Sequence, residues 1–276
     1  MTYRPEDFWV IDGGYEDMYH RKVEEGRKVA HESQLAVVGL ARNCDKNLRN
    51  TLELLSELSQ EFFSVGGFVY ENDSEDTTKE VLKKYKPQWM TVKNETLNRP
   101  HLPTEFQGPR TEALAEYRNA CVDWVKEKAE HTDFVVVIDL DPDGGFSVEG
   151  VLNSIGWLAA SKSLGGLGSY SLIRRTIDGT EHFAHYDSFA ARLNWWRDRR
   201  KEIGLTWFST LLPPAGSPPF IMNSCFGGLG VYKTQAFVEG TYSGEDCEHV
   251  LFHKTLAARG WTFGLNPGSR FAAILQ

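Results

Sequence analysis

The sequence lacks any apolar run near the roughly 20 residues needed to cross a bilayer, which excludes a transmembrane helix from this reading. It lacks a basic run as well. Its 30 Lys and Arg stand against 38 Asp and Glu, for a net charge of −8, and an acidic chain without a basic patch is not built to grip nucleic-acid phosphates. Cysteine is scarce. Cys44, Cys121, Cys225 and Cys247 show no Cys-x-x-Cys spacing, so they predict neither a zinc site nor a disulfide framework but reduced thiols. The opening residues, MTYRPEDFWVIDGGYED, place acids where a secretory leader carries a basic and then an apolar stretch. The expectation is a cytoplasmic protein. No fixed-period repeat or low-complexity tract interrupts the 276 residues, 25% charged and 41% hydrophobic, a composition suited to one large globular domain.

What is present is an alternation of short apolar runs with amphipathic stretches. Residues 1–33 are polar and charged with a candidate helix over Glu16–His31, and predict a surface extension and a candidate homodimer contact. From Leu35 to Leu40 the chain reads LAVVGL, a buried strand. Leu48, Leu52, Leu55, Leu58 and Phe62 then recur at helical spacing behind Asp45 as a cap. Further strands are expected at Val65–Tyr70, Trp89–Val92 and Phe134–Ile138, with helices over Glu75–Tyr85 and Thr111–Ala129 between them. Strands alternating with helices predict βαβ units and a mostly parallel sheet covered on both faces. The second half is richer in Gly, Pro and Trp, with strands expected at Gly168–Arg174 and Gly228–Tyr232 and a helix over Glu245–Arg259. The fold class is therefore α/β, a single compact domain over 34–276, divided into a nucleotide-binding half (34–145) and a second half (146–276).

The chemistry concentrates in FVVVIDLDPDGG, residues 134–145. Asp139 and Asp141 stand two apart at the end of a buried strand, so both carboxylates can face one point, and ligands of open α/β sheets bind beyond the carboxyl ends of strands. Two hard oxygen donors there suit Mg²⁺ or Mn²⁺, with waters and substrate phosphate completing the shell.

The order of VVGLARN, YENDSEDTTKEVLKKY and TEALAEYRNACVDWV leading into VVVIDLD resembles the GT-A class of nucleotide-sugar glycosyltransferases. The stretch Glu71-Asn72-Asp73-Ser74-Glu75-Asp76-Thr77-Thr78 is similar to that class's acidic signature after the second strand, and closer still to the Glu-Asn-Asp-Ser variant of fungal capsule-type mannosyltransferases and glycosyltransferases of large algal viruses. The resemblance implies a GT-A fold of Rossmann type and a metal-dependent hexosyltransferase that uses a UDP- or GDP-sugar donor and a glycan or glycoprotein acceptor. It assigns the donor nucleotide to Ala41, Asn43, Glu71, Asp73, Arg118, Asp139 and Asp187, with Glu71 at the base and Arg118 bracing the aspartate pair, and Arg110 just upstream suits the diphosphate because a guanidinium forks onto phosphate oxygens. Ser74 also suits a helix cap, and Arg110 a surface cation beside Glu112 and Glu116.

In the second half MNSCFGGLGVYK (222–233) resembles the Gly-rich segment lining the acceptor side, and Glu245-Asp246 resembles the acidic pair that supplies a catalytic base to inverting members. Acids at a helix start are also favoured by the dipole alone. His249 and His253, four apart, offer a third metal ligand, for which His253 is the expectation. Trp195-Trp196 suit stacking on a sugar ring. Two other readings stand beside this one. Haloacid-dehalogenase-like phosphatases also end a strand in Asp-x-Asp, but near the N-terminus, whereas here the pair lies mid-chain before Pro142-Asp143-Gly144. A glycan-binding domain without turnover would use the aromatic second half and has no need of the four acids at 139, 141, 245 and 246.

Overall fold

A computed structural model describes residues 2–102, 108–193 and 213–275. In chain order the elements are α1 (Glu16–Glu32), β1 (Gln34–Ala41), α2 (Asp45–Ser59), β2 (Ser64–Asn72), α3 (Thr78–Tyr85), β3 (Met90–Glu95), α4 (Pro109–Trp124), β4 (Phe134–Asp139), α5 (Val148–Ala160), β5 (Leu164–Ile177), β6 (Thr180–His185), β7 (Phe220–Met222), β8 (Leu229–Lys233), α6 (Thr234–Phe237), α7 (Glu248–Ala258) and β9 (Thr262–Ile274). The sheet order is β3-β2-β1-β4-β8-β5-β9-β7, with β6 on β5. β1 to β4 pair in parallel. β8 runs antiparallel between β4 and β5, and β5 pairs in parallel with β9. Six of these nine strands, β1 to β5 and β9, therefore run the same way.

The first strands form as their period of two requires. Leu35 and Val37 of β1 enter one apolar cluster with Val136 and Ile138 of β4, and Ala36 and Val38 enter the opposite cluster with Val135 and Val137. The first cluster is closed by α1, α2, α3 and α5, the second by α4 and α7. In α2, Leu48, Leu52, Leu55 and Leu58 are at most 1% exposed, each worth about 1.5–3 kcal/mol of apolar burial. Phe62 is also buried but lies beyond the helix end at Ser59.

Helix α1 forms where expected, but it is not a surface extension. Tyr19, Val23 and Ala30 belong to the core. The helix crosses α5 backbone to backbone: a Cβ on Gly26 would lie 1.8 Å from the Leu152 carbonyl oxygen, and one on Gly156 2.2 Å from that of Lys22. Ahead of α1, Arg4 pairs with Glu57, and Arg270 donates to the Trp9 carbonyl and the Glu6 carboxylate. Elsewhere α3 starts at Thr78 rather than Glu75 and α7 at Glu248 rather than Glu245, while α4 passes into a π-helical turn at Val125–Ala129. Among the described residues no helix is long and apolar enough to cross a membrane. All four cysteines are buried and unpaired.

Candidate active site

Beyond the carboxyl ends of β1 and β4 lies a cleft of about 490 Å³, lined by Asn43 to Asn47 at the start of α2, by Asp76, by Asp139 to Asp143 without Leu140, by Tyr186, and by Phe271, Ala273 and Ile274 of β9. Five of its residues are aspartates, but three are tied to the frame. Asp45 accepts from the amide and hydroxyl of Thr77, Asp76 accepts from the amides of Asp45 and Thr78, and Asp143 accepts from Asn47 Nδ2 and the Leu275 amide. Asp139 gives one oxygen to Arg118 at 2.8 Å. Its second oxygen has no hydrogen-bond partner among the described residues, and the Asp141 carboxylate accepts there from its own amide alone. Solvent reaches Asp141 from the open side of the cleft. Enclosure by the cleft walls, then the negative charge of Asp139 and Asp143, pushes its carboxyl up to about 6 against the pull of Arg110. Among the described residues no group of three or more His, Cys, Asp or Glu is arranged to hold a metal ion. The donor set is thus two carboxylates open to solvent, which fits a hard cation that keeps waters and shares a diphosphate.

Both acids hang on a rigid frame. Arg118 of α4 is 5% exposed. Its Nη2 donates to Asp139 and its Nε to Glu248 Oε1 at 3.1 Å, while its guanidinium lies 5.0 Å from the Phe226 ring centre. Burial works against this cation, but the two carboxylates outweigh it and raise its pKa. The Asp139 amide donates to the Gly228 carbonyl at 2.8 Å. Gly227 and Gly228 sit at φ 71° and 80°, in the left-handed region that favours glycine, and a Cβ on Gly227 would fall 2.0 Å from the Ser169 carbonyl oxygen. The Gly227 amide in turn donates to Asp187, which also accepts from the Ala190 amide. The Gly-rich segment therefore fixes the first aspartate of the pair as well as Asp187. Burial raises the Asp187 pKa, and the two amide bonds oppose that rise.

The acidic stretch after β2 knits two loops together. Asn43, at φ 51°, donates its amide to Ser74 Oγ and accepts from the Glu75 amide, and the Cys44 amide donates to Thr78 Oγ1. Ser74 is thus a tie to the β1 loop and not a helix cap, since Thr77 precedes α3. Glu71 is fully buried, accepting from the Ser74 amide with one oxygen; the other has no hydrogen-bond partner among the described residues and lies 3.9 Å from Lys79 Nζ. Asp73 organises the loop that follows β3: its carboxylate accepts from the amides of Leu97, Asn98 and Arg99. Ala41 is buried in the core cluster behind the cleft and brings no side chain to it. Arg110 acts on Asp141 and Tyr186 through its charge.

In the second half, Glu245 is exposed, whereas Asp246 is gripped by Arg192 Nη2 at 3.0 and 2.9 Å. Arg192 is 1% exposed. Sequence reasoning missed both this arginine and Glu248, because the partners that hold them lie far away in the chain. His253 does not join the aspartates. Its Nδ1 pairs with Ser224 Oγ at 2.8 Å and its Nε2 with the Tyr232 hydroxyl at 2.9 Å, with the ring stacked on Phe263, so both nitrogens are engaged inside the core. His249 stacks on Phe226 at 3.7 Å, also buried. Trp195 and Trp196 lie outside the described residues.

No protein-family model matches the sequence, and no curated protein matches it. Solved structures do match the fold. The crystal structure of GalNAc-T7 with UDP, GalNAc and Mn²⁺ aligns over 97% of this chain and 53% of its own at 14% identity, with a TM-score of 0.55. Glucosyl-3-phosphoglycerate synthase from Mycobacterium tuberculosis, with Mn²⁺, UDP and phosphoglyceric acid, aligns over 92% and 75% at 16% identity and a TM-score of 0.51. The mannosyltransferase PcManGT from Pyrobaculum calidifontis, in complex with GDP-Man and Mn²⁺, aligns over 94% and 64% at 15% identity and a TM-score of 0.50. The chain thus spans between about half and three quarters of the length of these structures. The fold is a mixed α/β domain of the GT-A type.

Proposed function

We propose that the chain is a metal-dependent glycosyltransferase that moves a sugar from a UDP- or GDP-sugar onto a glycan hydroxyl, releasing the nucleoside diphosphate. The observation that carries this reading is the placement of Asp139 and Asp141, acids of the cleft with oxygens left uncommitted at a parallel-strand terminus. Mn²⁺ or Mg²⁺ held by them would neutralise the charge that grows as the nucleoside diphosphate leaves. The groups named with the similar folds, GDP-Man with Mn²⁺ and UDP with Mn²⁺, are of the class proposed here.

The chain's own residues then take separate parts. Arg118 fixes the rotamer of Asp139 through a charge-assisted hydrogen bond. The half-paired Glu71 carboxylate, at the end of β2, receives a donor of the nucleotide base, and Arg110 faces the diphosphate. Asp246 takes the proton of the acceptor hydroxyl in an inverting transfer, and the two contacts from Arg192 hold it in one orientation for that step. The acceptor is a glycan or glycoprotein.

The test is the thermal shift given by UDP-, GDP-, CMP- and dTDP-sugars, each with Mn²⁺ and with EDTA. Stabilisation by one nucleotide in the presence of metal alone is expected, about 2.7 kcal/mol when the ligand stands at 100 times its Kd. No shift with any nucleotide would overturn the transferase reading, and an equal shift in EDTA would overturn its metal.

A further inference from the structure

Arg118 stands between two acids from different parts of the fold. Asp139 ends β4, and Glu248 opens α7, 109 positions later in the chain. The side chains of Arg118 and Glu248 are 6% and 7% exposed, against 33% for Asp139. The row of charges therefore runs from the interior to the cleft, with the buried acid at its inner end. Among the described residues, the Glu248 Oε1 also lies 3.5 Å from His249 Nε2, and its Oε2 lies 3.8 Å from the Cys247 thiol. It is also two residues past Asp246, which Arg192 grips. The short segment 246–248 is thus held by two buried arginines, one on the acceptor acid and one that reaches Asp139.

A buried guanidinium against a single carboxylate would draw that carboxylate's charge to itself. With Glu248 on Nε, the same cation faces two carboxylates, and the trio carries one net negative charge with its open end at Asp139. That is the condition for Asp139 to keep attraction for a divalent cation while its rotamer stays fixed. Groups that orient and polarise a metal ligand from behind commonly alter metal affinity 10- to 100-fold when removed.

We infer that Glu248 is a positioning residue that holds Arg118 and offsets its charge, so that Asp139 can serve a divalent cation, and that it ties this acid to the acceptor side through segment 246–248. The inference rests on the metal reading of Asp139 and Asp141 given above. Glu248→Gln keeps the shape and an oxygen to accept from Arg118 Nε, but removes the charge. Mn²⁺ binding to the protein alone, followed by calorimetry well below the melting temperature, should weaken about tenfold in Glu248→Gln with an unchanged circular dichroism spectrum. Arg118→Lys keeps the cation but cannot fork between two acids; it should weaken Mn²⁺ similarly and serves if Glu248→Gln does not accumulate folded. Wild-type Mn²⁺ affinity in either folded variant would overturn the role of Glu248 and leave the metal site standing. Absence of Mn²⁺ binding in the wild type would overturn the metal reading itself and this inference with it.

Discussion

Along residues 34–139 the strands bury themselves with aliphatic side chains: Val37, Val38, Val135, Val136 and Ile138 are at most 2% exposed and need no polar partner. Along 164–274 the same sheet is completed by strands that bury Ser169, Ser171, Asn266, Ser269 and Arg270, and the elements around them bury His185, Arg192, His249 and His253. Most of the first half is stabilised by a non-directional effect, with Glu71, Asn72 and Arg118 as its buried polar exceptions. The second depends on directed pairs such as Ser169 with Ser269 and Ser224 with His253, where losing one partner leaves a buried polar group unsatisfied. The cleft lies where the two meet, so the aspartates rise from the robust half while their orientation comes from the exacting one.

The largest expected effect isolates a residue that the robust half carries for function alone. Asp141→Ala removes a solvent-reached carboxylate that bonds to no other described residue, so metal-dependent transfer should fall about 10²- to 10³-fold while the melting temperature holds. A comparable loss of stability would mean that Asp141 belongs to the frame after all.

Next in size is the place where the N-terminal helix is welded to the core. Gly26→Ala puts a methyl group 1.8 Å from the Leu152 carbonyl oxygen and should cost about 1–3 kcal/mol, read as a shifted urea midpoint. A neutral outcome would return α1 to the status of an extension.

The polar half should also show itself in pH. Burial lowers the pKa of His185 and His253 to about 3, and that of His249 well below its ordinary value. The unfolded chain takes up these protons below about pH 6.5 and the folded chain does not. Stability is therefore full above pH 6.5 and is lost as the pH falls toward 3, by roughly 1.4 kcal/mol per pH unit for each histidine. His253→Gln should remove one proton from that slope in denaturation curves between pH 6.5 and 5, and an unaltered slope would contradict its buried neutral state.

The smallest effect separates neighbours within one loop. Asp73→Asn weakens the acceptor for three amides and should cost about 1 kcal/mol with nucleotide affinity nearly unchanged, whereas a large loss of affinity would place Asp73 in the donor site.

The two halves also differ in how much of them can be read before folding. β1, β2, β4 and α2 are visible because their apolar residues follow a period of two or 3.6, a local property of the chain. β9 is not: TFGLNPGSRFAAI contains Asn266, Pro267, two glycines and Arg270, and becomes a strand through pairing with β5 across three register shifts and with β7. α5 hides for the opposite reason, since nine of its 13 residues are buried and it has little polar face to set a period. At the site, Asp139 and Asp141 announce themselves by ending an apolar run. Glu248 and Arg192 do not, because the partners that bury them, Arg118 and Asp246, lie 130 and 54 positions away. His253 misled for the same reason: its spacing from His249 is local, but Ser224 and Tyr232 decide what its nitrogens do.

Calorimetric titration of UDP and GDP into the wild type and Asp141→Ala, with Mn²⁺ and with EDTA, tests the central claim most directly. Binding of one nucleotide by the wild type with Mn²⁺, lost both in EDTA and in the variant, is the predicted result. Equal binding in EDTA, or full binding by Asp141→Ala, would contradict a metal held by the aspartates at the end of β4.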